Sequence, residues 1–112
     1  MKLKTIVEDL GLGVKTAGTA LTQEVTCGYA SDLLSDVIAH ARMGHLWVTL
    51  QVHPNIVAVA ILKELSGIVL VNGRQPEAET LARANQENIP ILTTEMPTFE
   101  LVGKLYKLFE GQ

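Results

Sequence analysis

The sequence predicts an α/β domain, three layers deep in the order α/β/α, around a mostly parallel central sheet. Three observations carry that expectation. Short apolar runs rich in β-branched residues alternate with helix-patterned segments along nearly the whole chain, the rhythm a parallel sheet needs because each new strand is reached by a crossover. The runs at 46–50 and 68–71 are apolar with little alternation, as befits strands covered on both faces. Pro54, Pro76 and Pro97 each stand where a helix would begin, a position at which the missing N–H is no loss.

In chain order, residues 3–10 read as a short helix broken by Gly11-Leu12-Gly13, and Val14-Lys15-Thr16 as a short strand. Gly18-Thr19 opens a turn, and residues 24–30 form a strand. Ser31 is an N-cap for a helix reaching about Arg42, with Asp32 in the favourable first turn. Gly44 stops that helix, and the strand at 46–50 follows. The next helix runs from Pro54 to about Leu65 and ends at Gly67. Residues 68–71 are a strand, Asn72-Gly73-Arg74-Gln75 a turn, and Pro76 starts a helix to about Asn88. A strand at 90–93 and a helix at 97–109 complete the pattern.

At 112 residues, 1–112 form a single domain, large enough to bury roughly two-thirds of its unfolded surface. Hydrophobic residues make up 47% and charged residues 19%, which places the chain among globular proteins. The longest apolar run, at 56–62, is too short to cross a bilayer, and the N-terminus lacks the apolar core of an export signal. Cys27 is alone, which rules out an internal disulfide and fits a reducing cytoplasm. A net charge of −3 with dispersed basic residues, and aromatics not interleaved with arginines, argue against nucleic-acid binding.

Residues 56–62 are apolar nearly all round, so their helix needs cover on more than one side. Two covers stand open: the C-terminal helix with Phe99, Val102, Leu105, Tyr106 and Phe109, or a second subunit in a homodimer.

Several chemistries fail on context. Gly11-x-Gly13 follows a helix and leads into a strand, the reverse of a dinucleotide fingerprint. Val14-Lys15-Thr16 lacks the Gly that a phosphate-binding loop places before its Lys. Cys27 has no basic neighbour in sequence and reads as a buried thiol. Asp32, Asp36 and His40 share one helix face, opposite Leu33, Leu34, Val37, Ile38 and Ala41, which should pack on the sheet. That polar face reads as solvated, because one helix seldom supplies a closed metal site. No catalytic residue, metal or cofactor is expected.

What survives is the carboxyl edge of the sheet, where open α/β folds hold ligands. Asp32, Thr49, Gln51, His53, Asn55, Asn72, Arg74 and Thr93 all fall there, beside helix N-termini with unpaired N–H groups. The same residue types also serve as ordinary caps and turns. His53, just before Pro54, sits where a charged imidazolium would oppose the helix dipole, and suits either a ligand contact or a structural role.

Several blocks resemble a known family: Val25-Thr26-Cys27-Gly28-Tyr29, Ser31-Asp32-Leu33-Leu34-Ser35-Asp36-Val37, Gly44-His45-Leu46-Trp47-Val48-Thr49, His53-Pro54-Asn55-Ile56-Val57-Ala58-Val59-Ala60, Gly67-Ile68-Val69-Leu70-Val71-Asn72-Gly73 and Ile89-Pro90-Ile91-Leu92. In this order they look like a stand-alone DRTGG-domain protein. The name-giving motif is degenerate, Gln23-Glu24-Val25-Thr26-Cys27-Gly28 keeping a Thr and one Gly. The resemblance implies a fold similar to the N-terminal domains of HPr kinase/phosphorylase and Mur ligases, and an accessory role, often at a dimer interface. A kinase label would be inherited by name, since no phosphoryl-transfer residues are present.

The expectation is therefore a non-catalytic regulatory, ligand-sensing or dimerisation module, with a small polar or anionic, nucleotide-like ligand at the rim. Two alternatives stay open: an interaction scaffold for a signalling or iron-only hydrogenase-associated protein partner, and a small metal-dependent enzyme built on Asp32, Asp36, His40 and His53.

Overall fold

Among the described residues the elements run, in chain order, α1 (Leu3–Leu10), β1 (Gly13–Val14), β2 (Cys27–Ala30), α2 (Leu34–His40), β3 (His45–Thr49), α3 (Asn55–Lys63), β4 (Gly67–Leu70), α4 (Ala78–Glu87), β5 (Ile91–Thr93) and α5 (Thr98–Glu110), strands and helices alternating from β2 onward. The computed structural model describes residues 1–17 and 21–111; the turn expected at Gly18-Thr19 lies outside them. The strands form one five-stranded sheet in the order β1-β5-β4-β3-β2. Neighbours among β2, β3, β4 and β5 are parallel, and β1 pairs antiparallel with β5 through Gly13–Thr93 and Val14–Leu92. The expected α/β/α architecture is present.

Side-chain alternation assigns the helices to their layers. On one face Trp47, Ile68, Leu70 and Ile91 pack with Val37 and Ala41 near α2, Ile56, Val57 and Ala60 of α3, and Ala84 of α4. On the other, Leu46, Val48, Val69, Val71 and Leu92 pack with Leu3 and Ile6 of α1 and Leu101 and Leu105 of α5. The steady order from β2 to β5 explains this division. Successive parallel strands added in one direction, each by a crossover of the same hand, place every connecting helix on one face. Only after β5 does the chain turn to the opposite face.

This arrangement corrects the cover expected for α3. The C-terminal helix lies across the sheet from it, and α3 is flanked by α2 and α4 instead. Ile61 and Leu62 on α3 remain 41% and 65% exposed, so its all-round apolar character is only partly used within the domain.

Element ends differ from the sequence pattern for local reasons. α2 begins at Leu34, after Leu33, with no side chain capping it; Ser31 Oγ instead accepts from the Leu33 amide at 3.2 Å. Asp32 thus precedes the helix and does not sit in its first turn. Of the apolar residues expected to pack beneath α2, Val37 and Ala41 are buried, whereas Leu33 and Ile38 are exposed. α3 ends at Glu64, which takes the left-handed conformation (φ 54°), and Gly67 opens β4 instead. A Cβ at Gly67 would lie 3.3 Å from the Pro90 carbonyl oxygen, so a side chain there would crowd the chain entering β5. Cys27, expected to be buried, is exposed, because β2 is an edge strand.

Candidate functional site

The parallel strands bring all the predicted site residues to the same edge of the sheet, but spread along it. With neighbouring strands about 4.8 Å apart, the tips of β2 and β5 are separated by roughly 14 Å. The residues fall into three groups.

At the β2–β3 end, polar groups satisfy one another. Asp32 Oδ1 accepts from Thr49 Oγ1 at 2.9 Å and from the Leu50 amide at 2.7 Å. Gln51 Nε2 donates to the Asp32 carbonyl at 2.8 Å, and the Gln51 amide donates to Thr49 Oγ1 at 3.1 Å. Thr49 is 1% exposed, so its hydroxyl must find partners within the protein. Trp47 Nε1 donates to the Ser31 carbonyl at 2.8 Å and ties the same loop to the core. Asp32, Thr49 and Gln51 form a brace between two loops. The cause is topological: both loops lead to helices on the same face, so no crevice opens between them.

The middle group shapes the start of α3. His53 Nδ1 accepts from the Asn55 amide at 3.1 Å, satisfying one of the helix's unpaired donors. The side chains of His53 and Asn55 are exposed. Nearby, the fully buried Thr80 hydroxyl donates to the Val52 carbonyl at 2.6 Å and fixes α4 to the β3–α3 connection. Thr80 was not singled out in the sequence, because its partner lies 28 residues away.

The third group surrounds a concavity. The loops after β4 and β5 depart toward opposite faces, and a groove of about 370 Å³ with a mixed polar and apolar lining opens beside them. Thr93 lines it with Gly11, Gly13, Gly73, Gln75 and Glu95, among others. Asn72 (φ 61°) and Gly73 (φ 69°) are both left-handed. Their amides donate to the carbonyls of Met96 and Thr94, each at 2.9 Å, while the Met96 amide donates to Thr94 Oγ1 at 3.1 Å. These bonds fix the floor between the two loops. Asn72 and Arg74 are exposed on the turn flanking the groove. Among the described residues, Arg74 joins no ion pair. Of the eight predicted residues, the groove itself is lined only by Thr93. Gly11 and Gly13 were missed as ligand-site residues because β1 reaches this edge only by pairing antiparallel with β5, whereas Gln75 and Glu95 follow β4 and β5 directly and their place at the strand ends was legible in the sequence. The glycine spacing at 11 and 13 was visible, but only in the wrong context for a nucleotide fingerprint.

Two further features lie away from this edge. Tyr29 OH donates to Asp36 Oδ2 at 2.8 Å, and His40 Nδ1 lies 3.0 Å from Asp36 Oδ1. Hydrogen bonding from Tyr29, then from Ser31, holds the Asp36 carboxyl below its ordinary pKa, while the same carboxylate pushes the Tyr29 phenol up. The Tyr29 ring stacks on His45 with centroids 6.3 Å apart. Burial, then the charge of Arg42, holds the His45 imidazole below its ordinary pKa. The metal site built on Asp32, Asp36, His40 and His53 is not assembled. Asp32 turns to Thr49, and no group of three or more His, Cys, Asp or Glu gathers in metal-binding geometry among the described residues. An apolar cleft of about 120 Å³ also lies between edge strand β2 and α5, lined by Gly28, Tyr29, Val102, Leu105, Tyr106 and Phe109, among others. Among the described residues, no helix is long and apolar enough to cross a membrane.

The model of the DRTGG domain family matches residues 6–108. Among solved structures, the chain is similar to the CBS and DRTGG domains of the regulatory region of Clostridium perfringens pyrophosphatase, complexed with the activator diadenosine tetraphosphate. That likeness has a TM-score of 0.71 at 17% identity, and covers 93% of this chain and 45% of the other. At this identity the likeness is one of fold, and the chain spans less than half of that regulatory region. No curated protein matches the sequence. With the family model covering most of its length, the chain belongs to the DRTGG domain family.

Proposed function

We propose that this DRTGG domain is a non-catalytic regulatory module that binds a small polar ligand at the β4–β5 end of the carboxyl edge. The observation that carries this reading is the groove, which lies beside the place where adjacent parallel strands send their chains to opposite faces. Ligands in open α/β sheets occupy such places, and the groove's volume lies within the range of small-molecule sites. Asn72, Arg74 and Thr93 belong to this end. Asp32, Thr49 and Gln51 brace the loops beyond it, and His53 and Asn55 set the start of α3. The regulatory role is also that of the pyrophosphatase region whose fold the chain shares.

Thermal-shift screening of nucleosides, nucleotides and phosphometabolites tests the site, with Gln75→Trp as a plug of the groove. A ligand that raises the melting temperature of the natural chain and has no effect on the plugged variant supports it. A ligand that stabilises both equally places the site elsewhere.

A second reading concerns partners. Phe99 and Tyr106 on α5 are 91% and 67% exposed, and Ile61 and Leu62 on α3 are 41% and 65% exposed; exposed apolar side chains grouped on one helix offer a partner surface to bury. A second copy of the chain is the partner proposed here. Sedimentation at micromolar concentration gives a dimer on this reading, and a clean monomer defeats it.

A further inference from the structure

We infer that the groove selects an uncharged ligand through a pair of neighbouring hydroxyl groups, such as the ribose diol of a nucleoside, and disfavours phosphate-bearing ligands. This rests on the groove being the ligand site proposed above.

The lining contains a single charged side chain, Glu95, and no Lys or Arg. That side chain is folded across the turn after β4: a Cβ built at Gly73 would lie 2.5 Å from Glu95 Oε2. A side chain at position 73 would make the carboxylate shift, and Gly73 is also held at a φ of 69° that side chains resist. Glu95 is exposed at the groove, and among the described residues its carboxylate has no ion pair and no hydrogen bond. It differs in this from Asp32 on the same edge, whose carboxylate is engaged twice.

A carboxylate offers two acceptor oxygens and no donor, so its complement is a group presenting two donors side by side. A vicinal diol does so, and an acidic residue holds a ribose hydroxyl in this way in dinucleotide-binding sheets. The rest of the groove suits the same chemistry. Thr94 Oγ1 accepts the Met96 amide, which leaves its proton free to donate to a sugar oxygen, and the Gln75 amide can both donate and accept. A phosphate entering the groove would meet Glu95 in its lining, while the nearest cation in sequence, Arg74, stands on the flanking turn outside that lining, on a chain whose net charge is already −3.

Isothermal titration of the full chain with adenosine, cytidine, 2′,3′-dideoxyadenosine, ATP and diadenosine tetraphosphate tests this, repeated with Glu95→Gln and Gln75→Trp. The ribonucleosides should bind about tenfold or more tightly than the dideoxy compound and the two phosphorylated ligands, the loss expected when hydrogen bonds to a charged acceptor go unmade. Glu95→Gln should weaken ribonucleoside binding by a similar factor while leaving the melting temperature unchanged, and Gln75→Trp should abolish it. Tighter binding of ATP or diadenosine tetraphosphate than of adenosine, lost in Gln75→Trp but indifferent to Glu95→Gln, would overturn the ligand class and leave the groove standing. Binding that survives Gln75→Trp would remove the groove as well. No ribonucleoside binding at millimolar concentration would overturn the ligand class.

Discussion

The two ends of the carboxyl edge are built from similar residues and do opposite things. At the β2–β3 end, three hydrogen bonds from Thr49, Leu50 and Gln51 to Asp32 link two loops, and a fourth, from the Gln51 amide to Thr49, lies within one of them. At the β4–β5 end, Thr93, Gln75 and Glu95 face an open groove, and the one carboxylate there is unpaired among the described residues. Composition does not separate them. The direction of the departing chain does: two neighbouring loops that turn to the same face close on each other, and two that turn to opposite faces part. A polar strand tip therefore says where a site can form, and the face to which the departing chain turns says whether it does.

Four experiments would break or sharpen this contrast. The largest effect is expected at the closed end. Asp32→Ala removes the acceptor for both the Thr49 hydroxyl and the Leu50 amide, and should lower the unfolding free energy by about 2 kcal/mol in urea titration, because the buried hydroxyl loses its partner. A change below about 0.5 kcal/mol, the scatter of ordinary surface substitutions, would mean that the brace is decorative.

Gly73→Ala comes next, with an expected loss of roughly 1–2 kcal/mol by the same measurement. A left-handed φ disfavours any Cβ, and the new methyl must also displace the Glu95 carboxylate. If the variant is as stable as the natural chain, the turn relaxes to accept a Cβ at position 73.

A smaller effect is expected from acidification. The folded state holds His45 below its ordinary pKa, first through burial and then through Arg42, and its Nδ1 accepts the Arg42 amide at 3.1 Å. The folded protein therefore binds this proton less readily than the unfolded chain. The contribution is complete above the ordinary imidazole pKa of about 6.5 and is lost as pH falls from there through the lower folded value. Melting temperature should decline over that window, and His45→Gln should flatten the decline. Asp36, also held low in the folded state, adds a separate loss only at lower pH, beneath the ordinary carboxylate range. A decline unchanged in His45→Gln would exclude the imidazole as its source.

The smallest effect should come from Glu95→Gln. A side chain without a partner contributes little to folding, so stability should stay within about 0.5 kcal/mol of the natural chain. A clear loss would reveal a structural role for Glu95, and the two ends of the edge would then be alike.

Much of this architecture was legible in the residues. The predominantly apolar character of 46–50 and 68–71 marked central strands, and the structure buries Leu46, Trp47, Val48, Ile68, Val69, Leu70 and Val71 almost completely. Prolines at 54, 76 and 97 marked helix starts to within two residues. The expected cap at Ser31 failed because Leu33 holds an extended conformation (φ −96°, ψ 111°) and delays the helix. Cys27 could not be placed without knowing that its strand lies at an edge.

The sequence by itself determined the elements, their mostly parallel pairing and the polarity of the strand tips. These follow from periodicity and local turn chemistry, which act over a few residues. Tertiary structure decided which tips meet. Asp32 finds Thr49 across 17 residues, and Gly11 and Gly13 meet the groove only because β1 runs back along β5. Those encounters depend on strand order and on the face to which each connection turns, and no local pattern encodes either.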